Sequence, residues 1–145
     1  MISDNKNDAV IIQALRNKGY KATPQRIAVC KTTLTSKEHP NVEKIYHQVK
    51  KVYPTVSLAT VYKTLHILKE NQLIQEIFTP KGETRFDPNP TPHINLVCSK
   101  CGHIQDVDSE QLKEIVKTVT LKANFVPVRQ RIDVYGLCEN CVKNR

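Results

Sequence analysis

Apolar positions in the first half of the chain recur at helical spacing. Within residues 9–16, Val10, Ile11, Ala14 and Leu15 form one face, and Gly19 closes the run. Thr23-Pro24-Gln25-Arg26 opens a second helix, with Thr23 as N-cap, Pro24 in the first turn, and Ile27, Cys30 and Leu34 on the buried side. His39-Pro40 ends it. A third helix over about residues 42–52 turns Val42, Ile45, Tyr46 and Val49 to one side, and Pro54 breaks it. Ser57 caps a fourth, ending near Asn71, whose stripe is Leu58, Val61, Leu65 and Leu68. Its opposite face carries Ala59, Thr60, Lys63 and Ile67, flanked by Tyr62 and His66.

The period then changes. Residues 73–78 and 84–86 read as strands joined by a turn at Thr79-Pro80-Lys81-Gly82-Glu83. Helices followed by such a hairpin predict a winged helix-turn-helix with Lys81 at the wing tip, placed for phosphate. Asp87-Pro88-Asn89-Pro90-Thr91-Pro92-His93 follows, and three alternating prolines make it a semi-rigid connector. Beyond it, residues 93–97 and 104–107 read as strands. Ser109 caps a helix from about 110 to 122 with Leu112, Ile115, Val116 and Val119 apolar, and residues 125–135 read as a further strand. The fold class is α+β: a winged helix over residues 1–87, a hinge at 88–92 and a small α/β domain over 93–145.

Charge sharpens the reading of the first half. The chain of 145 residues carries a net +8. Residues 1–88 hold 14 Lys and Arg against 8 Asp and Glu, or +6, while residues 89–145 hold 8 against 6, or +2. A basic, compact helical half suggests a polyanion, nucleic acid before membrane, although a soluble basic surface has the same composition. The outer face of the fourth helix is small at its start, then basic and aromatic, which suits entry into a major groove. A solvated helix face gives a similar pattern.

Residues 1–8 are polar and no apolar run approaches a membrane span, so a cytosolic location is expected. In a reducing compartment Cys98, Cys101, Cys138 and Cys141 are thiolates for a metal rather than disulfides. Two X-X-spaced pairs match zinc's tetrahedral preference with no open position, hence one structural Zn(II) per chain. The 36 residues between the pairs require the intervening elements to bring them together. A redox dithiol would need one pair at a helix start near a βαβ pattern, and the sequence predicts none. Cys30 reads as a buried core residue. His39, beside a proline, reads on its own as a surface residue.

Thr23-Pro24-Gln25-Arg26, His39-Pro40, Ser57-Leu58-Ala59-Thr60-Val61-Tyr62-Lys63-Thr64-Leu65 and Arg85-Phe86-Asp87, in this order, resemble the ferric uptake regulator family. The resemblance covers nearly the whole chain. It implies a homodimeric, metal-dependent transcriptional repressor, not an enzyme, whose C-terminal domain dimerises and whose N-terminal domains bind a pseudo-palindromic duplex. It also implies that Tyr62 and Lys63 meet bases or phosphates and that Lys21 reaches the minor groove. With Ser57, Ala59, Thr60 and Lys81 they complete the expected DNA-contacting set.

Similarity to the family's peroxide-sensing branch further implies a regulatory Fe(II) or Mn(II) on His39, Asp87, His93, Asn95 and Asp106. Asn95 departs from the branch, which has His there; an amide oxygen is a neutral, weaker ligand than imidazole for late first-row metals. The ligands span both halves, so the ion would set the inter-domain angle. A further site of many relatives needs a His near Val128-Arg129-Gln130-Arg131, where none stands, so that site is expected to be absent. His47, His66 and His103 remain unassigned. The alternatives are a plain iron, manganese or zinc uptake regulator, a thiol enzyme, and a metal-storage protein with no DNA role.

Overall fold

The helix starts read from the sequence carry their caps. In the computed structural model, which describes residues 7–145, Thr23 Oγ1 accepts from the Arg26 N–H at 3.3 Å. Asn41 Oδ1 does the same for Lys44 N–H at 2.8 Å, and Ser57 Oγ for Thr60 N–H at 3.1 Å. The resulting helices are α1 (Asp8–Asn17), α2 (Pro24–Thr35), α3 (Val42–Lys50) and α4 (Leu58–Glu70). Strands β1 (Gln75–Phe78) and β2 (Thr84–Asp87) follow as an antiparallel hairpin, its turn reversed at Gly82 with φ +78°. Residues 1–6, part of the polar N-terminal stretch, lie outside the described residues. Among the described residues no helix is long and apolar enough to cross a membrane.

The described residues form two units. One comprises those up to Phe78 with Gly82–Pro90; the other comprises Thr79–Lys81 and Thr91–Arg145. In the first, Ile11, Leu15, Val29, Cys30, Leu34, Ile45, Val61, Leu65, Leu68 and Phe86 share one core. Two expectations for α4 change. Leu58 is 41% exposed, because it stands in the helix's first turn, and Ile67, assigned to the outer face, is fully buried. α4 packs against α1, α2 and α3 together, so its buried arc is wider than one stripe and takes in Thr64 and Ile67. On α2, Ile27 is only partly buried, and Val29 and Thr33 join Cys30 and Leu34 inside.

The second unit is a three-stranded sheet of order β4-β3-β5, with β3 (Ile94–Cys98) antiparallel to β4 (Ile104–Val107) and parallel to β5 (Ile132–Gly136). Helix α5 (Glu110–Lys122) connects β4 to β5, and a short helix α6 (Glu139–Lys143) that the sequence reading did not foresee ends the unit. The strand expected over 125–135 begins only at Ile132, where β3 first offers a partner in Ile94. Phe125, Val126 and Val128 before it are exposed. The expected apolar side of α5 is present, but Leu112 alone is buried, while Ile115 and Val119 are each 60% exposed.

Candidate metal centres and nucleic-acid face

The four paired cysteines converge at one end of the sheet. Cys98 closes β3, and the chain turns back through Gly102, whose φ of +77° a side chain would disfavour. The Gly102 N–H bonds Cys98 O at 3.0 Å and the Cys98 N–H bonds His103 O at 2.8 Å, folding the first pair into a knuckle. The second pair follows β5. All four Sγ atoms lie within 4.8 Å of one another, and Cys101 and Cys138 approach to 3.7 Å. A zinc tetrahedron with bonds of about 2.3 Å has edges of about 3.8 Å, so the donor set fits that ion.

Electrostatics point the same way. The backbone N–H of Cys101, then that of Cys138, draws the Cys98 thiol down to about 5; the Cys138 N–H stands 3.3 Å from Cys98 Sγ. The neighbouring Cys138 side chain, with burial and the other sulfurs, pushes Cys141 up to about 12. Four sulfurs this close cannot all ionise without a cation between them, and a divalent ion supplies that charge. One sequence argument fails. Cys138 is the N-cap of α6, and parallel β3 and β5 flank α5, so a pair does stand at a helix start beside a βαβ-like crossover. The convergence of four sulfurs, rather than the absence of that setting, is what favours a structural metal.

The expected regulatory ligands come from both units. In the first unit His39 and Asp87 are 4% and 2% exposed, with His39 Nε2 3.9 Å from Asp87 Oδ1. The surface reading of His39 is thus wrong: the chain there takes a left-handed φ of +49°. The Arg85 guanidinium holds it, donating to the carbonyls of His39 and Glu38, while the Phe86 N–H donates to Pro40 O at 3.0 Å. Asp87 Oδ1 also accepts the Asn89 N–H at 2.9 Å.

In the second unit His93 and Asn95 are buried and Asp106 lies beside them in register. His93 Nδ1 stands 2.6 Å from Thr91 O. A carbonyl only accepts, so Nδ1 carries a proton, and Nε2 is the acceptor of the ring in its neutral form. His93 Nε2 faces Asn95 Oδ1 at 3.0 Å and Asp106 Oδ1 at 3.6 Å. A ring nitrogen this near two oxygens offers donors that fit a cation, and the Thr91 carbonyl holds the imidazole as backbone carbonyls hold metal-ligating histidines.

The expected DNA-contacting residues are mostly on the surface of the first unit. Ser57, Ala59, Tyr62 and Lys63 are exposed along α4, and Tyr62 is 54% exposed. Thr60 is half-buried, its hydroxyl 2.9 Å from that of Ser57. Lys21 is exposed, and its carbonyl accepts from Arg26 Nη1 at 2.9 Å, with the same guanidinium 5.3 Å from the Tyr20 ring centre. Lys81 is exposed in the β1–β2 turn.

The model of the ferric uptake regulator family matches residues 17–135 of this chain. The chain belongs to the ferric uptake regulator family. It is 32% identical to the peroxide-responsive repressor PerR of Staphylococcus epidermidis over 130 residues, covering 90% of this chain and 87% of that protein. The crystal structure of the Campylobacter jejuni peroxide stress regulator shares 37% identity, with a TM-score of 0.74 over 90% of this chain and 98% of that one. A zinc uptake regulator complexed with zinc and DNA shares the fold at 20% identity, with a TM-score of 0.60 over 94% and 93% of the two chains. The family's fold, an N-terminal winged helix followed by an α/β domain, is therefore this chain's fold.

For this family member the sequence reading missed Arg85, Thr91, Arg131 and Asp133. Arg85 lies inside a motif already noted, yet its role depends on which carbonyls the hairpin brings to it. Asp133 is signalled only by being the acidic residue in Ile132-Asp133-Val134-Tyr135. Its meaning emerges from the register, which sets it beside Asn95.

Proposed function

We propose that this chain is a homodimeric, metal-dependent transcriptional repressor that binds a pseudo-palindromic duplex and responds to peroxide through a regulatory Fe(II), with Mn(II) as an inert substitute. The observation that carries the reading is His93 Nε2 standing 3.0 Å from Asn95 Oδ1 and 3.6 Å from Asp106 Oδ1, with Nδ1 against Thr91 O. His39 and Asp87, buried and adjacent, are the donors we assign from the other unit. An ion taking ligands from both units would couple their orientation, and coupling between metal and DNA affinity is reciprocal. A mixed nitrogen and oxygen set suits Fe(II) or Mn(II) over thiophilic metals.

Several features support the rest. The basic first unit, with Lys21 exposed and Tyr62 and Lys63 exposed on α4, suits duplex DNA, as does exposed Lys81 in the β1–β2 turn. The exposed apolar side chains of the second unit, Ile115, Val119 and Val134 among them, suit a second copy of the chain. The relatives named as peroxide-responsive favour that signal. Fe(II) supplies a one-electron reductant for hydrogen peroxide, and oxidation would fall on a ligand imidazole. His39 and His93 are the side chains so exposed to it, and loss of either as a donor would release the ion and end repression.

Asn95 in place of an imidazole favours a second reading, a metal-uptake regulator indifferent to peroxide. The two separate in one experiment. Zinc-loaded protein is given Fe(II) or Mn(II), then hydrogen peroxide at low excess, and its peptides are mapped by mass. One added oxygen on His39 or His93, with iron only, is expected. Unmodified histidines, or oxidation confined to the cysteines with zinc loss, would leave the plain sensor.

A further inference from the structure

We propose that Asp133 is the positioning residue that makes Asn95 an oxygen ligand, so that this chain's departure from histidine still presents a donor to the regulatory ion. The inference rests on the regulatory-site reading above. An amide has two nearly isosteric ends, and only its oxygen binds a metal; its nitrogen presents protons. Something must therefore choose the end that faces His93.

The row across the sheet makes that choice. Asn95 pairs with Asp106 on β4 and with Asp133 on β5, so the three residues stand side by side. Asn95 Nδ2 donates to Asp133 Oδ1 at 3.0 Å. Arg131 holds the other carboxylate oxygen, its Nε and Nη2 lying 2.8 and 2.6 Å from Asp133 Oδ2. A carboxylate only accepts, so the end of the amide turned to it must be the NH2, and Oδ1 is left toward His93 Nε2 at 3.0 Å. Asp133 thus acts on the metal through Asn95.

Asp133→Asn tests this with almost no change of shape. Arg131, which only donates, would take the single oxygen of the new amide. Its NH2 would then face position 95, and the Asn95 amide would turn its oxygen away from the ion. The probe is Mn(II), titrated into the zinc-loaded full-length protein and followed by the electron paramagnetic resonance of free Mn(II). Affinity should fall ~10–100-fold, as outer-shell changes do. Zinc content and melting temperature should stay at wild-type values.

The pair Asn95→Asp with Asp133→Asn keeps the amide-to-carboxylate contact with roles exchanged, and a carboxylate presents oxygen whichever way it turns. This double variant should bind Mn(II) at least as tightly as wild type. Its rescue separates a positioning role from a structural one, and it remains informative if the single variant does not fold. Wild-type affinity in folded Asp133→Asn, or a folded double variant as weak as the single one, would overturn the proposal. If wild type itself binds no Mn(II) beyond the zinc site, the regulatory-site reading falls and this inference with it. If wild type binds Mn(II) and only the variants disagree, this inference alone falls.

Discussion

At its C-terminal end β3 delivers Cys98 to a set of four sulfurs; three residues earlier the same strand places Asn95 among nitrogen and oxygen donors. The two neighbourhoods differ in completeness. The sulfur set fills a tetrahedron from the second unit alone, and a closed set of this kind contributes folding energy. His93, Asn95 and Asp106 are three donors, fewer than Fe(II) or Mn(II) accepts, so an ion there has positions left for donors or solvent from elsewhere. On the proposed reading, one strand thus carries both a staple and a sensor. An ion that must be held always is given thiolates, and one that must come and go is given harder, partly neutral ligands.

The largest expected effect breaks the staple. Cys98→Ser or Cys138→Ser should abolish the zinc and unfold the second unit, because structural zinc is worth about 10–16 kcal/mol in small domains, against a total stability of about 5–15 kcal/mol. Zinc analysis and light scattering should report loss of metal and dimer together; a zinc-free protein that remains dimeric would contradict the assignment. Mild chelation should separate the two sites. It should remove Mn(II), retain one zinc per chain, and weaken specific DNA binding about 5–150-fold, the range of ordinary allosteric coupling. Fluorescence anisotropy with and without restored Mn(II) measures this, and equal affinities would show no coupling.

Smaller effects belong to the first unit. Lys21→Ala should weaken binding to all duplexes and lower the salt slope by about one. Tyr62→Ala should instead narrow the gap between specific and random duplexes by about 1–3 kcal/mol. The smallest effect concerns Cys30, which contrasts with the cysteines of the staple. Burial raises its thiol from 9.0 to about 12. The unfolded chain releases that proton first, so between these values the native state binds more protons and stability falls as pH rises. Cys30 should therefore resist alkylation in native protein at pH 8 and react on unfolding; ready reaction in the native state would refute its burial.

The cluster of four sulfurs was legible in the sequence because its signal is local: two X-X pairs state donor type and number without a fold. The winged helix was legible for a related reason, since Thr23 and Ser57 cap their helices through bonds three residues long. The strand expected over 125–135 was too long because apolar Phe125, Val126 and Val128 resemble a strand but are exposed and lack a sheet partner. The proposed regulatory site was the least legible. Asn95, Asp106 and Asp133 are far apart in sequence and meet only through strand register, so the resemblance suggested two of them and spacing suggested none. His39 misled for the same reason, because its burial depends on Arg85, 46 positions away.

Selection from a random duplex library tests the central claim most directly, with zinc-loaded protein presented with Mn(II) or with chelator that spares the zinc. A pseudo-palindromic sequence should be enriched with Mn(II) and lost without it. Enrichment of the same sequence in both conditions, or of no sequence in either, would contradict that claim.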